Sequence, residues 1–291
     1  MADSGIAIVT GASRGAGKGI ALGLGEKGMT VYVTGRSTET GSAKGWDGTA
    51  LPGTVYETAE AVTAAGGKGI PVICDHANDE QVAALFAQVK KDSGRLDILV
   101  NNATYMHPQL IEQLPFWEKD LGAAGILDVG LRSAYVASWH AARIMVEQKK
   151  GLIAFGSSFG ATCYMHGPAY GAQKAGLDKF AHDMAVDLKP HGVRAVSIWM
   201  GPLLTERALI AAEVNQEQYK DFIATAETPN FTGHIVHAIA NDPEGDDLSG
   251  RTLIGAEIAQ RYGITDRGGK VPPSYREMLG SPNDLNPAIV Y

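Results

Sequence analysis

IAIVTGASRGAGKGIALGLGEKG, residues 6–28, decides the fold. The apolar run from Ile6 to Thr10 reads as a strand buried on both faces. It breaks into a glycine turn, and the spacing that follows predicts a helix from about Ala16 to Lys27. Gly11, Gly15 and Gly17 let the backbone turn tightly and come close to a pyrophosphate at the helix N-terminus. Glycine spacing without a ligand is common. Here the turn lies between the strand and the helix that phosphate binding requires.

Outward from that stretch, Thr30 to Thr34 predicts a second strand, ending at Gly35-Arg36-Ser37. The residue past this strand meets the adenosine ribose in dinucleotide folds; an acid binds a free 2′-hydroxyl and an arginine accommodates a 2′-phosphate. No acid stands here. Arg36 does, with Arg14 in the glycine turn as a second cation, which favours NADP(H) over NAD(H). Ser37 to Gly53, with Trp46 and Pro52, reads as a long loop, and Val55 to Ala65 as a helix. Gly69 to Cys74 is a third strand, closed by Asp75 and His76 where an adenine edge would sit. A helix from Asp79 to Asp92 leads to a strand over Leu96 to Val100 and then Asn101-Asn102-Ala103.

Strands alternating with helices predict an α/β, Rossmann-type, doubly wound parallel sheet of about seven strands, with ligands gathered at the carboxyl ends of the strands. Downstream, Ala123 to Gln148 reads as one long helix, Leu152 to Gly156 as a strand, Ala169 to Lys189 as a helix and Gly192 to Met200 as a strand. A charged helical stretch within 203–229 lies where a substrate lid would be. Phe231 to Ala240 reads as a further helix and Arg251 to Ile254 as the last strand. The organisation is one domain over 1–255, with 256–291 a tail packed on its surface.

The chemistry is carried by FGSSFGATCYMHGPAYGAQKAGLDKF, residues 155–180. On a helix, Tyr170 and Lys174 lie one turn apart on one face and can act on one atom. A free phenol titrates near pH 10; an adjacent ammonium favours the phenolate and is expected to lower that value. Ser157 adds a hydroxyl, and the set suits acid/base work between a carbonyl and an alcohol. A Tyr-x-x-x-Lys pair also arises by chance, with the Tyr packed and the Lys solvated. The glycine turn at the other end of the chain makes the catalytic reading the stronger one.

Bulk properties narrow the class. The chain has 291 residues, 45% hydrophobic and 20% charged, enough for a large α/β core. A net charge of −7 argues against nucleic acid. Two cysteines, Cys74 and Cys163, provide no disulfide framework and fit a reducing compartment. With no leader-like N-terminus and no apolar run long enough for a bilayer, the expected setting is cytoplasmic, away from membranes.

Together these motifs resemble the short-chain dehydrogenase/reductase family over about residues 5–255. The resemblance rests on Thr10 to Gly17, Asn101 to Ala103, Ser157 and the Tyr170/Lys174 pair, in family order and spacing. DVGLRSAY (128–135), AETPNFTG (226–233) and LSGRTLIGAEIAQRYGITD (248–266) resemble one branch of that family. The resemblance implies that Tyr170 is the acid/base and that Lys174 lowers its pKa and bonds the nicotinamide ribose. It implies that Ser157, whose spacing to Tyr170 fits better than that of Ser158, polarises the carbonyl. It further implies that Gly11, Ser13, Arg14 and Gly17 face the phosphates, Asp75 the adenine, Asn102 and Ala103 the adenosine-side ribose, and Gly201 and Thr205 the nicotinamide end. Assembly as a homodimer or homotetramer through the two long helices is implied as well.

Two positions depart from the family pattern. Gly130 stands where a helix asparagine is usual, leaving a solvent-filled space or a neighbouring side chain in its place, and Met200-Gly201-Pro202 replaces the usual Pro-Gly. Tyr105, Met106, His107, Tyr164, Met165, His166, Trp199 and Met200 flank the expected cleft and favour a hydrophobic or aromatic ketone or aldehyde. Trp199 suits the core equally well. His107 and His166 lack ligand-spaced partners and read as loop histidines rather than metal ligands. The expectation is an NADPH-dependent carbonyl reductase. The alternatives are an NAD-dependent alcohol dehydrogenase and a non-catalytic NADP-binding regulator.

Overall fold

The first strand alternates as its sequence requires: Ala7 and Val9 join one apolar cluster and Ile8 the other. The computed structural model describes residues 5–45, 48–214 and 216–290; Trp46, placed in a loop by its sequence, lies outside them. β1 (Ile6–Val9) pairs in parallel with β2 (Thr30–Gly35). The stretch read as loop 37–53 carries a small antiparallel ribbon of β3 (Ala43–Lys44) and β4 (Ala50–Leu51). β5 (Lys68–Ile73), β6 (Ile98–Asn101), β7 (Gly151–Ser157), β8 (Val193–Trp199) and β9 (Thr252–Ile254) complete a seven-stranded sheet, all parallel, ordered β5-β2-β1-β6-β7-β8-β9. The order reverses between β1 and β6. The crevice therefore opens there, at the carboxyl ends.

On one face lie α1 (Gly15–Gly25), α2 (Val55–Ala64) and α8 (Pro229–Asn241), burying Ile20, Leu24, Val62, Phe231 and Ile235 against the odd-numbered positions of β1. On the other lie α3 (Asp79–Ser93), α4 (Ser133–Gln148) and α5 (Pro168–Leu188), burying Val82, Phe86, Ala141 and Leu177. Thr54 and Asn78 cap α2 and α3, each accepting a backbone N–H at 3.0 Å. Among the described residues, no helix is long and apolar enough to cross a membrane.

Two expectations change, the unbroken helix over 123–148 and the irregular tail. The helix expected over 123–148 is broken: a π-helical turn, Leu127–Arg132, precedes α4, with Val129 and Gly130 outside helical geometry. Gly130 has φ +145, and a Cβ there would lie 2.9 Å from Gln173 Nε2, so the buried Gln173 amide fills the space beside it and donates to the Gly130 carbonyl at 3.3 Å. The lid stretch forms α6 (Glu206–Val214) and α7 (Gln216–Thr225). The tail begins as α9 (Gly255–Arg261) before turning irregular around the short α10 (Arg276–Leu279). Trp199 is fully buried, in a cluster with Phe159 and Ile254, and belongs to the core rather than the cleft wall.

Candidate active site

The half of the crevice beside β1 is held by backbone. Thr10 Oγ1 accepts from the N–H groups of Asn102 and Ala103, both at 2.9 Å. Asn102 Nδ2 donates to the carbonyls of Thr10 and Gly11 at 2.9 and 3.2 Å, clamping the glycine turn to the end of β6. A Cβ on Gly17 would meet the Gly11 carbonyl oxygen at 2.4 Å and Asn102 Nδ2 at 2.5 Å, so only glycine allows this approach. The resulting cavity, about 450 Å³, is lined by Gly11, Ser13, Arg14, Gly15, Gly17, Arg36, Asp75, Asn102, Ala103 and Thr205. Ten of the expected cofactor contacts are thus brought together. Gly201, Tyr170 and Lys174 are not among the lining residues; the Gly201 N–H donates to Glu227 Oε1 at 3.2 Å.

The two arginines differ. Arg14 donates through Nε and Nη2 to the carbonyls of Pro52 and Gly53, at 3.0 and 2.7 Å, and braces the loop after β4. Arg36 keeps 65% of its side chain exposed, with Asp75 3.8 Å away as a loose partner. Beneath them His76 lies buried with Nε2 2.8 Å from Thr34 Oγ1, and burial pulls it down to about pH 4, so the ring is neutral.

The other half is built on α5, which presents Tyr170, Lys174 and Asp178 at one-turn intervals. Ser158, not Ser157, meets the phenol: its Oγ lies 2.9 Å from Tyr170 Oη. Ser157 ends β7 fully buried, donating to the Lys174 carbonyl at 3.3 Å. Neighbouring residues at a strand end point to opposite faces, so only one of the two serines can reach the crevice. The spacing argument chose the other.

Lys174 is buried beneath the ring, Nζ 5.4 Å from the Tyr170 centroid, and donates to the Gly156 carbonyl at 3.0 Å. Burial pulls the ammonium down to about pH 8, with Asp178 opposing. Asp178 accepts from Ser197 Oγ at 2.6 Å and Trp199 Nε1 at 2.8 Å, and burial raises its pKa. The phenol does not behave as expected. Burial pushes Tyr170 above its ordinary value, offset in part by the Ser158 hydrogen bond. A phenol shifted above its ordinary value is protonated at neutral pH.

Around the pair, the His166 ring stands edge-on to Tyr170 at 5.0 Å, and Tyr105 and Met106 line the cavity. Met165 packs toward the Phe159 cluster, while Tyr164 is 81% exposed. His107 Nε2 lies 3.8 Å from Asp120. Asp178, Gln173 and Glu227 escaped the sequence reading. Asp178 had a signal, since it continues the Tyr170–Lys174 spacing by one more turn. Glu227 had none: it arrives from a segment whose backbone pairs with Leu203 and Leu204.

Residues 5–217 match the family model for short chain dehydrogenase. The chain is 39% identical to human dehydrogenase/reductase SDR family member 1 over 282 residues, covering 93% of this chain and 85% of that protein. It is 29% identical to a 3-oxoacyl-[acyl-carrier-protein] reductase of Synechocystis, covering 85% and 94% respectively. A solved short chain dehydrogenase of Mycobacterium thermoresistibile shares the fold with a TM-score of 0.75 at 21% identity, covering 93% and 94%.

Proposed function

The chain belongs to the short-chain dehydrogenase family of nicotinamide-dependent oxidoreductases, and from that premise we propose that it is an NADPH-dependent carbonyl reductase. The observation that carries this is the 2.9 Å contact of Ser158 with Tyr170 above the buried Lys174, in a fold whose glycine turn lines a separate cavity at the strand ends. The cradle suits a dinucleotide: side chains are excluded where a pyrophosphate needs backbone N–H groups. Gly11, Ser13, Gly15 and Gly17 would hold it, with Asp75 on the adenine side and Thr205 toward the nicotinamide.

When bound, the dinucleotide supplies the hydride that reduces the carbonyl carbon. Tyr170 donates its proton to the carbonyl oxygen as the negative charge grows, and Ser158 donates a second hydrogen bond to that oxygen. Lys174 stays protonated below about pH 8 and stabilises the phenolate left behind. The phenol is protonated at neutral pH, so the proton that reduction requires is in place. Tyr105 and Met106 favour a hydrophobic or aromatic carbonyl substrate.

The exposed guanidinium of Arg36 supports NADPH over NADH, because Arg14 is already committed to the Pro52 and Gly53 carbonyls. The exposed Tyr135 and Trp139 on α4 suit assembly between copies along that helix. The test is fluorescence titration with both dinucleotides, followed by NADPH consumption over aromatic, aliphatic, quinone and steroid ketones. Tighter NADH binding would overturn the cofactor choice. NADPH binding with no turnover on any carbonyl would favour the regulator instead.

A further inference from the structure

The start of α1 already carries an anion. Arg14, at its N-cap, makes no side-chain capping bond, and the first turn holds no acid. Instead Glu206 Oε2 accepts from the Gly15 N–H at 2.8 Å, across 191 residues of sequence. Its other oxygen lies 3.5 Å from Lys18 Nζ, in the next turn of α1. Glu206 opens α6, the first lid helix, and its neighbour Arg207 donates to the Lys44 carbonyl in the ribbon on the other side of the cavity, at 3.2 Å. Thr205, Glu206 and Arg207 all line the dinucleotide cavity.

A helix N-terminus offers unpaired N–H groups and a positive dipole end, and a carboxylate satisfies both in the way a phosphate does. Two anions cannot share Gly15 N–H and Lys18 without repulsion. We propose that Glu206 is a carboxylate latch that occupies the pyrophosphate seat in the free protein, and that the dinucleotide displaces it on binding. This rests on the cofactor reading above. It makes Glu206 a cost that any ligand of the pyrophosphate seat has to meet. A ligand anchored by its pyrophosphate alone has to win the seat from a tethered competitor. A whole dinucleotide brings further contacts at Arg36 and at the nicotinamide end. The latch sets the free energy a ligand gives up to enter, and its removal raises affinity by that amount.

The test is titration calorimetry with NADPH and, separately, with inorganic pyrophosphate, on the parent, Glu206→Gln and Glu206→Ala, each checked for an unchanged melting profile. Glu206→Ala is expected to bind NADPH about tenfold tighter, and pyrophosphate by a similar factor. Glu206→Gln falls between, because its amide oxygen still accepts from Gly15 without the charge. A variant that binds NADPH no more tightly than the parent overturns the latch while leaving the cofactor reading intact. If no form binds either NADPH or NADH, the cofactor reading fails and takes the latch with it.

Discussion

The two sides of the crevice are built from different materials. The β1 side is backbone clamped to backbone: Thr10 and Asn102 hold the glycine turn with four hydrogen bonds, and glycines exclude side chains from the floor. The α5 side is side chains held against the cost of burial: a phenol pushed up, an ammonium pulled down to about 8 and a carboxylate pushed up beneath them. The first side is rigid before any ligand arrives. The second holds its titratable groups away from their ordinary values by burial.

The largest effect separates the two sides outright. Tyr170→Phe removes the proton donor and should lower kcat on ketones by about a thousandfold, while NADPH titration stays at the parent value. Activity at the parent level would remove Tyr170 from the chemistry. In the same variant series, alcohol oxidation by the parent should rise with pH where ketone reduction stays flat. The phenol is protonated at neutral pH and acts as a base only once ionised.

The serines give the next contrast. Ser158→Ala should lower kcat by about a hundredfold through loss of a donor to the reacting oxygen. Ser157→Ala should leave kcat near the parent and cost about 1 kcal/mol of stability, the worth of its bond to the Lys174 carbonyl. The reverse pattern would restore the assignment made from spacing.

That pair also shows where the sequence is legible. Gly11, Gly17, Asn102 and the sheet they close are readable because their roles follow from backbone sterics and local order, which a linear pattern carries. Ser158 is not readable in the same way. Choosing it over Ser157 depends on which face of β7 meets α5, a fact of strand phase across a ten-residue connection, 158–167, with a left-handed residue at His166 (φ +59). The missing asparagine at Gly130 is legible, but neither the break in the helix there nor the Gln173 amide that comes from α5 to fill the space is. The phenol's pKa is not legible either: the spacing shows a neighbouring charge, whereas burial is what raises it.

Cofactor choice should depend on Arg36 more than on Arg14. Arg36→Ala should weaken NADPH about tenfold and leave NADH unchanged. Arg14→Ala, which also loosens the Pro52–Gly53 loop, should weaken both dinucleotides alike. Equal losses from Arg36→Ala for the two would place no 2′-phosphate at that guanidinium.

The last contrast lies where the chain's end packs against the Gly201 loop. Glu227 is 2% exposed and accepts from the Gly201 N–H, while Lys270 reaches across from the tail to the carbonyls of Ala224 and Ala226. Burial first, and the Asp266 charge as well, push its carboxyl from 4.5 up to about 8. The folded protein therefore keeps a proton that the unfolded chain releases. The stabilising contribution is complete below pH 4.5 and is lost as pH rises through about 8, with a slope of about 1.4 kcal/mol per pH unit between them. Glu227→Gln mimics the neutral acid at every pH. Its stability relative to the parent, from urea midpoints, should climb across that window and level off above it. A difference that stays constant would mean the carboxylate is ionised in the folded protein at neutral pH. The Gly201 loop would then be held by a charge-assisted bond, as firmly as the glycine turn opposite.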